Sequence, residues 1–350
     1  MKKANPVALL PIGVFLVLYL GLGILFEYIL GIEMGFYNIP IIAVFMVAIL
    51  VACLQNPGLS FDEKMVVMGQ GAGDKNIIIM VLIFFTAGMF SSIVGRSGAQ
   101  SVAYFLLSIV PARFAVPVLF VIACFVSTAM GTSVGTITLV TPIAVEIAAV
   151  SGFSVPLCVG TVMGGAMFGD NLSFISDTTI AACNGQGCQM KDKFRENFRI
   201  ALPAALATLV LLIIMTAGME PVLTLGEYNL LQILPYLLVL IGGIVGINVF
   251  AVLLIGIVSG AVIMLSTGGI SGFTGLLSAM GSGISGMYET ATVAILVSAM
   301  CALIREYGGF EALLQTIRHV FKGKKGGQIG MGVLVGLMDI ATANNTVAIV

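Results

Sequence analysis

Charge is scarce in this sequence. Only 9% of its 350 residues are Asp, Glu, Lys or Arg, against roughly 25% in an ordinary soluble domain, while 59% are hydrophobic. A chain so poor in charge does not clothe a water-exposed surface of its own size, so a membrane protein is expected. Histidine is nearly absent. The single one, His319, lies in the basic stretch RHVFKGKKGG (318 to 327), where a solvated side chain is expected rather than a ligand or proton relay. The six cysteines, Cys53, Cys124, Cys158, Cys183, Cys188 and Cys301, are scattered. Cys183 and Cys188 share a loop, but no second pair or nearby His completes a zinc pattern, so free thiols are expected. No G-x-x-x-x-G-K-[ST] loop appears, and GQGAG (69 to 73) lacks the strand and helix that a phosphate loop needs. ATP therefore does not drive this chain on its own. With a net charge of −1 and no basic patch interleaved with aromatic residues, nucleic-acid binding is set aside. An intramembrane enzyme would need a nucleophile, a zinc motif or an acid–base His, and none is recognisable. A non-enzyme without cofactor is expected.

What the chain has instead is apolar runs. A bilayer core about 30 Å thick takes about 20 apolar residues per helix. Runs recur at 7 to 30, 39 to 54, 76 to 94, 99 to 110, 114 to 130, 134 to 150, 155 to 168, 198 to 218, 231 to 249, 250 to 266, 288 to 304 and 327 to 341. The fold class is therefore an all-α polytopic membrane protein. The first run reaches about Leu30 without a small-residue cleavage site, which reads as an uncleaved helix rather than a signal peptide. Several runs are too short to cross. Short, glycine-interrupted segments beside full spans point to re-entrant hairpins and broken helices, which a bilayer tolerates only where protein or a wet cavity covers the freed backbone.

Lys and Arg collect at Lys2 and Lys3, at Lys64 and Lys75, in KDKFRENFR (191 to 199) and in RHVFKGKKGG, whereas loops 31 to 38 and 219 to 229 carry neither. By the positive-inside rule the basic segments, and with them the N-terminus, face the cytoplasm.

An internal repeat is also present. GQGAGDKNIIIMVLIFFTAGMFSSIVGRSGAQ (69 to 100) aligns with GSGISGMYETATVAILVSAMCALIREYGGFE (281 to 311), and STAMGTSVGTI (127 to 137) with DIATANNTVAI (339 to 349). Two similar halves with polar, interrupted helices at matching places suggest an alternating-access transporter whose site lies where the halves meet. The organisation expected is a first transmembrane repeat over 1–202, a connecting helix and external loop over 203–229, and a second repeat over 230–350. That second repeat breaks off inside a polar motif, so a truncated repeat is expected.

Three polar islands interrupt the apolar sequence. GDNLSFISDTTIAA (169 to 182) brings Asp170, Asn171, Ser173, Ser176, Asp177, Thr178 and Thr179 together. Apart from one amide nitrogen these offer only oxygen, the donor that hard cations such as sodium prefer. Asp170 and Asp177 are seven apart, two turns of a helix, and would share a face if the segment were helical. If it unwinds at Ser173 to Ser176, freed carbonyls become ligands too. GTSVGTIT (131 to 138) supplies Thr132, Ser133, Thr136 and Thr138, with glycines that permit a tight tip; DIATANNTVA supplies Asp339, Thr342, Asn344, Asn345 and Thr346 at the matching place. Hydroxyls in membrane helices often bond their own backbone or a neighbouring helix. Carboxylates differ, because an Asp at a helix centre costs about 2.5 to 3.5 kcal/mol on insertion scales and so marks an ion or proton path by default. On that ground Asp177 ranks first, Asp170 second and Asp339 third. Glu289, a secondary candidate with Asp339, opens a helix, where stabilisation by the helix dipole stands beside a role in the ion path. Glu27, Glu146, Arg305 and Glu306 read as interfacial anchors or pairs.

The strings FGDNLSFISDTTIAA, GTSVGTITLVTPIA and MDIATANNTVAIV resemble the NhaC family of bacterial sodium:proton antiporters, within the ion transporter superfamily. The resemblance implies a polytopic inner-membrane protein of two inverted repeats, and it places the family's signature on Asp170, Asn171, Ser173, Ser176, Asp177, Thr178 and Thr179. Phe174 stands where the family commonly has proline, a residue that would fix a helix break by removing a donor. The implied activity is exchange of Na+ for H+ by competition at a buried aspartate. Asp177 would be the shared carboxylate, Asp170, Ser173, Ser176 and Thr179 would complete the Na+ site, and Thr132, Ser133 and Asn345 would approach from two hairpin tips. The alternative is an Na+- or H+-coupled transporter or exchanger of a small organic or amino acid of the malate or lactate kind, its anionic group held at helix N-termini. The partners expected are the lipid bilayer, Na+ and H+, with the organic acid as alternative cargo and a homodimer as an assembly the scaffold permits.

Overall fold

The computed structural model describes residues 3–173, 176, 178–179, 182–183, 188–217, 227–245, 247–321 and 323–342. Among them there is no strand. The chain forms α1 (Leu10–Ile24), α2 (Ile41–Leu54), α3 (Phe61–Ala72), α4 (Lys75–Ile109), α5 (Ala115–Met130), α6 (Ser133–Ser151) and α7 (Val155–Leu172). It continues with α8 (Met190–Ala217), α9 (Leu230–Ile244), α10 (Val249–Ser266), α11 (Gly272–Ser285), α12 (Tyr288–Glu306), α13 (Gly309–Val320) and α14 (Gly323–Thr342). Six helical stretches among the described residues are long and apolar enough to cross a bilayer, among them Pro6–Ile29, Ser133–Ser151, Met190–Ala217 and Val249–Ser266. The protein is thus an all-helical, multi-pass membrane protein. Helices α11 and α13 fall outside the apolar runs of the sequence, and so does α3.

Two compact units are present, Met1–Val81 with Tyr288–Val350, and Leu82–Met287. In the first, Phe45, Ala48 and Ile49 of α2 pack against Val297, Met300, Cys301 and Ile304 of α12 and Phe310 of α13. Helix α3 starts because Ser60 and Glu63 form a capping box, each side chain meeting the other's backbone N–H, which satisfies two of the donors a helix start leaves orphaned. Lys64 is buried and donates to the Cys53 and Gln55 carbonyls at 2.8 and 2.9 Å. It closes the C-terminal end of α2, where a cation suits both the free carbonyls and the helix dipole. Gly71 lets α3 approach α12 so closely that a Cβ there would lie 2.7 Å from the Ser298 carbonyl; the Ser298 hydroxyl donates to the Gly71 carbonyl at 2.8 Å.

In the second unit, Leu119, Phe120 and Ala123 of α5, Val140, Ile143, Ala144 and Ile147 of α6, and Cys158 and Val162 of α7 form one buried cluster. Tyr236 and Val239 of α9 join it together with Val252, Leu253 and Ile257 of α10. Broken helices do occur. Helix α4 is kinked at Gly95, whose φ of 64° and ψ of −171° belong to a region that essentially only glycine enters. The stretches Ser97–Ile109 and Ala112–Thr128 meet at 114° around Pro111.

Candidate functional site

The site is built from the α5–α6 tip upward. Gly131, at φ 69°, closes α5 in the left-handed conformation and donates its N–H to the Ser127 carbonyl at 2.9 Å, as a glycine C-cap does. Thr132 then caps α6, its hydroxyl accepting the Gly135 N–H at 3.3 Å. The Thr136 hydroxyl donates to the Thr132 carbonyl at 2.9 Å, and that of Thr138 to the Val134 carbonyl at 2.7 Å. Ser133 and Thr136 are buried. The hydroxyls of Thr132, Thr136 and Thr138 therefore serve the tip's own backbone. Asn344, Asn345 and Thr346 lie outside the described residues, and so does the side chain of Asp339, which belongs to α14.

Small residues then hold α7 hard against α5. A Cβ on Gly169 would stand 2.4 Å from the Cys124 carbonyl and 2.5 Å from the Thr128 nitrogen, and one on Gly165 would stand 2.7 Å from the Phe120 carbonyl. The Ser127 hydroxyl donates across this seam to the Ala166 carbonyl at 2.5 Å. Close backbone approach through small residues is how helices associate in lipid, where apolar burial drives little. Of the neighbouring Gly160, Gly164 and Gly165, it is Gly165 that serves close packing: Gly160 faces open space, and a Cβ on Gly164 would make an ordinary contact with Phe120 at 3.7 Å.

Asp170, one residue past that seam, sits in the last turn of α7 and is only 6% exposed. The helix stops at Leu172, Ser173 is extended (φ −69°, ψ 140°), and its N–H bonds the Asp170 carbonyl at 3.2 Å. The Ser176 hydroxyl donates to Asp170 Oδ1 at 2.7 Å, lies 2.7 Å from the Thr178 hydroxyl and accepts the Thr179 N–H at 3.5 Å. Ser173, Ser176 and Thr179 are buried. The structure thus brings together the Asp170 carboxylate, the Ser176 and Thr178 hydroxyls and the Thr179 backbone N–H, with Asp170, Ser176 and Thr179 buried and Thr178 partly so. The oxygens of that set suit a hard monovalent or divalent cation, or a proton, better than a soft metal. Asp177 and Phe174 lie outside the described residues. Asn171 is exposed and turns toward α8, and Glu289 is exposed in the first turn of α12.

Two features escape sequence reasoning. The first is the reach of α8 into the site: Lys193 Nζ donates to the Asn171 main-chain carbonyl and, at 2.8 Å, to the Thr179 hydroxyl, while Asn197 Nδ2 donates to Asn171 Oδ1 at 2.7 Å. Lys193 and Asn197 are four apart and share a helix face, which is the signal the basic segment carried. Beside them a cleft of about 330 Å³ is lined by Phe120, Gly164, Met167, Asn171, Asn197 and Thr208 among others. The second is Glu146. It lies within α6 and is only 6% exposed, a buried position rather than that of an interfacial anchor. Tyr236, fully buried, has a hydroxyl without a hydrogen-bond partner among the described residues.

With this geometry in view, the chain can be set beside known proteins. It is 33% identical over 138 residues to an uncharacterized protein of Haemophilus influenzae, covering 39% of this chain and 27% of that one. It is 28% identical over 204 residues to the malate-2H(+)/Na(+)-lactate antiporter of Bacillus subtilis, covering 57% of this chain and 41% of the relative. It is 26% identical over 273 residues to the Na(+)/H(+) antiporter NhaC of the same organism, covering 73% of this chain and 57% of the relative. The chain thus spans less than two thirds of the length of each of these relatives. The sequence profile of the Na+/H+ antiporter family matches residues 5–219, a stretch that contains the α5–α6 tip, Asp170 and the segment after it. The chain belongs to the Na+/H+ antiporter family, with an NhaC protein among its relatives.

Proposed function

We propose that the protein is a secondary active transporter that exchanges Na+ for H+ across the bacterial cytoplasmic membrane, by competition at a buried aspartate in the acidic segment that begins in the last turn of α7. Removal from water favours the neutral form of a carboxyl group, and a bound cation favours the charged form. A proton and a sodium ion therefore exclude each other from the same carboxylate, and either one neutralises the site so that it can cross between inward and outward states. Asp177 is the shared carboxylate in this reading. Asp170, Ser173, Ser176, Thr178 and Thr179 complete the oxygen set, and Thr132, Ser133 and Asn345 approach from the tips of two inverted repeats. The observation that carries the reading is the buried Asp170 carboxylate under the Ser176 hydroxyl at 2.7 Å, in a family named for sodium–proton antiport. The test is sodium addition to acidified everted vesicles holding the chain. The unmodified protein collapses the pH gradient, and Asp170→Asn and Asp177→Asn do not; collapse in both variants at the unmodified rate would dismiss the reading.

The likeness to the malate-2H(+)/Na(+)-lactate antiporter favours a second reading, coupled exchange of a small organic acid on the same scaffold. In that case sodium stabilises the purified protein against heat only weakly alone and strongly together with malate or lactate. Equal stabilisation with and without the acids removes this reading.

A further inference from the structure

Lys193 lies in the first turn of α8, half-buried, and its ammonium is aimed at oxygens of the candidate site rather than at solvent. It donates to the Asn171 main-chain carbonyl, to Asn171 Oδ1 at 3.5 Å and to the Thr179 hydroxyl at 2.8 Å. Asn197 holds the Asn171 amide from the other side at 2.7 Å, which turns its oxygen toward the donors. An ammonium has three donors and no acceptor, and here they meet a carbonyl, an amide oxygen and a hydroxyl. Those are the donor types an alkali cation takes. Thr179 also belongs to the Ser176 cluster that covers Asp170, so the lysine's oxygens and the carboxylate's are parts of one network.

A second cation cannot enter this network beside the first. Resting on the sodium–proton reading above, we propose that Lys193 is a tethered competitor of sodium: its ammonium takes the Asn171 and Thr179 oxygens, and a sodium ion that uses them drives the amine out. Lys193 is a positioning residue in this scheme. It sets the sodium concentration at which the site loads and keeps the carboxylate from standing without a counter-charge between loads. The consequence is a split in the kinetics. Lys193→Gln lowers half-saturating sodium several-fold while the maximal rate of exchange stays within about twofold, whereas Lys193→Arg, which keeps the charge, stays near the unmodified value. A purely structural lysine would lower the maximal rate in both variants.

The direct test is amine footprinting of the purified full chain. Acetylation of Lys193 by a short pulse of an amine-reactive ester is quantified by mass spectrometry in sodium chloride and in choline chloride, with exposed Lys191 as internal reference, and exchange is measured on the same preparation. Lys193 acetylation is expected to rise several-fold with sodium, at a midpoint that tracks sodium-driven exchange, with Lys191 unchanged. Acetylation indifferent to sodium in a preparation that exchanges sodium for protons overturns the role of Lys193 and leaves the antiport reading intact. A sodium-dependent rise without proton exchange upholds the displacement and overturns the antiport reading. Indifference together with no exchange overturns both.

Discussion

The Ser176 hydroxyl donates to Asp170 Oδ1 at 2.7 Å, across the end of α7. Helix α7 stops at Leu172 and Ser173 is extended, so Ser176 is free of the helix's hydrogen-bonding pattern. A hydrogen bond to a charged group contributes about 1.5 to 3 kcal/mol, and more is lost when the remaining partner stays buried. Ser176→Ala is therefore expected to lower the melting temperature of the purified protein and to raise the sodium needed for half-maximal exchange. Ser176→Thr, which keeps the hydroxyl, should leave both near the unmodified values.

The α5–α7 seam gives a sharper structural prediction. A Cβ on Gly169 would meet the Cys124 carbonyl and Thr128 nitrogen, both backbone atoms, at 2.4 and 2.5 Å, so neither helix can yield locally. Gly169→Ala is expected to cost about 1 to 3 kcal/mol, the usual range for overpacking. Gly160→Ala, with nothing within 4 Å, should be neutral or stabilising through helix propensity by up to about 1 kcal/mol. Thermal unfolding of the two variants side by side checks the order.

Glu146 occupies a buried position in α6. Truncating a buried side chain leaves a cavity and strands its partners. Glu146→Ala is therefore expected to melt below the unmodified protein, and Glu146→Gln, which keeps the volume, to melt above Glu146→Ala. A Gln variant that melts no higher than the Ala variant would mean that the carboxyl group, rather than the side chain's volume, holds α6 in place.

An acid-side effect is expected at the start of α3. The Ser60 backbone N–H and hydroxyl hold the Glu63 carboxylate below its ordinary range. A carboxylate whose pKa is lower folded than unfolded stabilises the folded form above the unfolded value, and that contribution is lost as pH falls through the folded value. Amide exchange in the first turn of α3 should therefore quicken as pH is lowered through the acid range, relative to its intrinsic rate. In Ser60→Ala the same amides should already exchange quickly above that range.

Much of the helical architecture was legible in the sequence, and the exceptions have physical causes. Helix α2 announces itself as an unbroken apolar run, and α10 as one interrupted only by small residues. Helix α11 does not, because its sequence GFTGLLSAMGSGIS is interrupted by small residues that packing demands: Gly283 meets Gly88 of α4 so closely that a Cβ would lie 2.3 Å from the Gly88 carbonyl. Helix α3 is short and polar, although its Ser60–Glu63 spacing is a helix-start signature that reading for apolar runs passes over. At the site, Asp170, Ser176 and Thr179 stand out because carboxylates and clustered hydroxyls are costly beside hydrocarbon. Lys193 does not stand out, since in a basic segment its charge is absorbed by the positive-inside rule, and only the packing of α8 beside the end of α7 brings Asn171 and Thr179 to it. Glu146 is buried although it lies near a helix end, because distance from a helix end in sequence does not say which face the side chain shares with a neighbour.

The central claim is that the acidic segment beginning in the last turn of α7 trades a proton for a sodium ion, and proton release on sodium binding tests it most directly. Purified protein in weakly buffered solution near neutral pH should acidify the medium when sodium chloride is added and not when choline chloride is added, and the Asp170→Asn/Asp177→Asn double variant should give no sodium-specific signal. Proton release of unmodified size from that folded double variant would contradict the account.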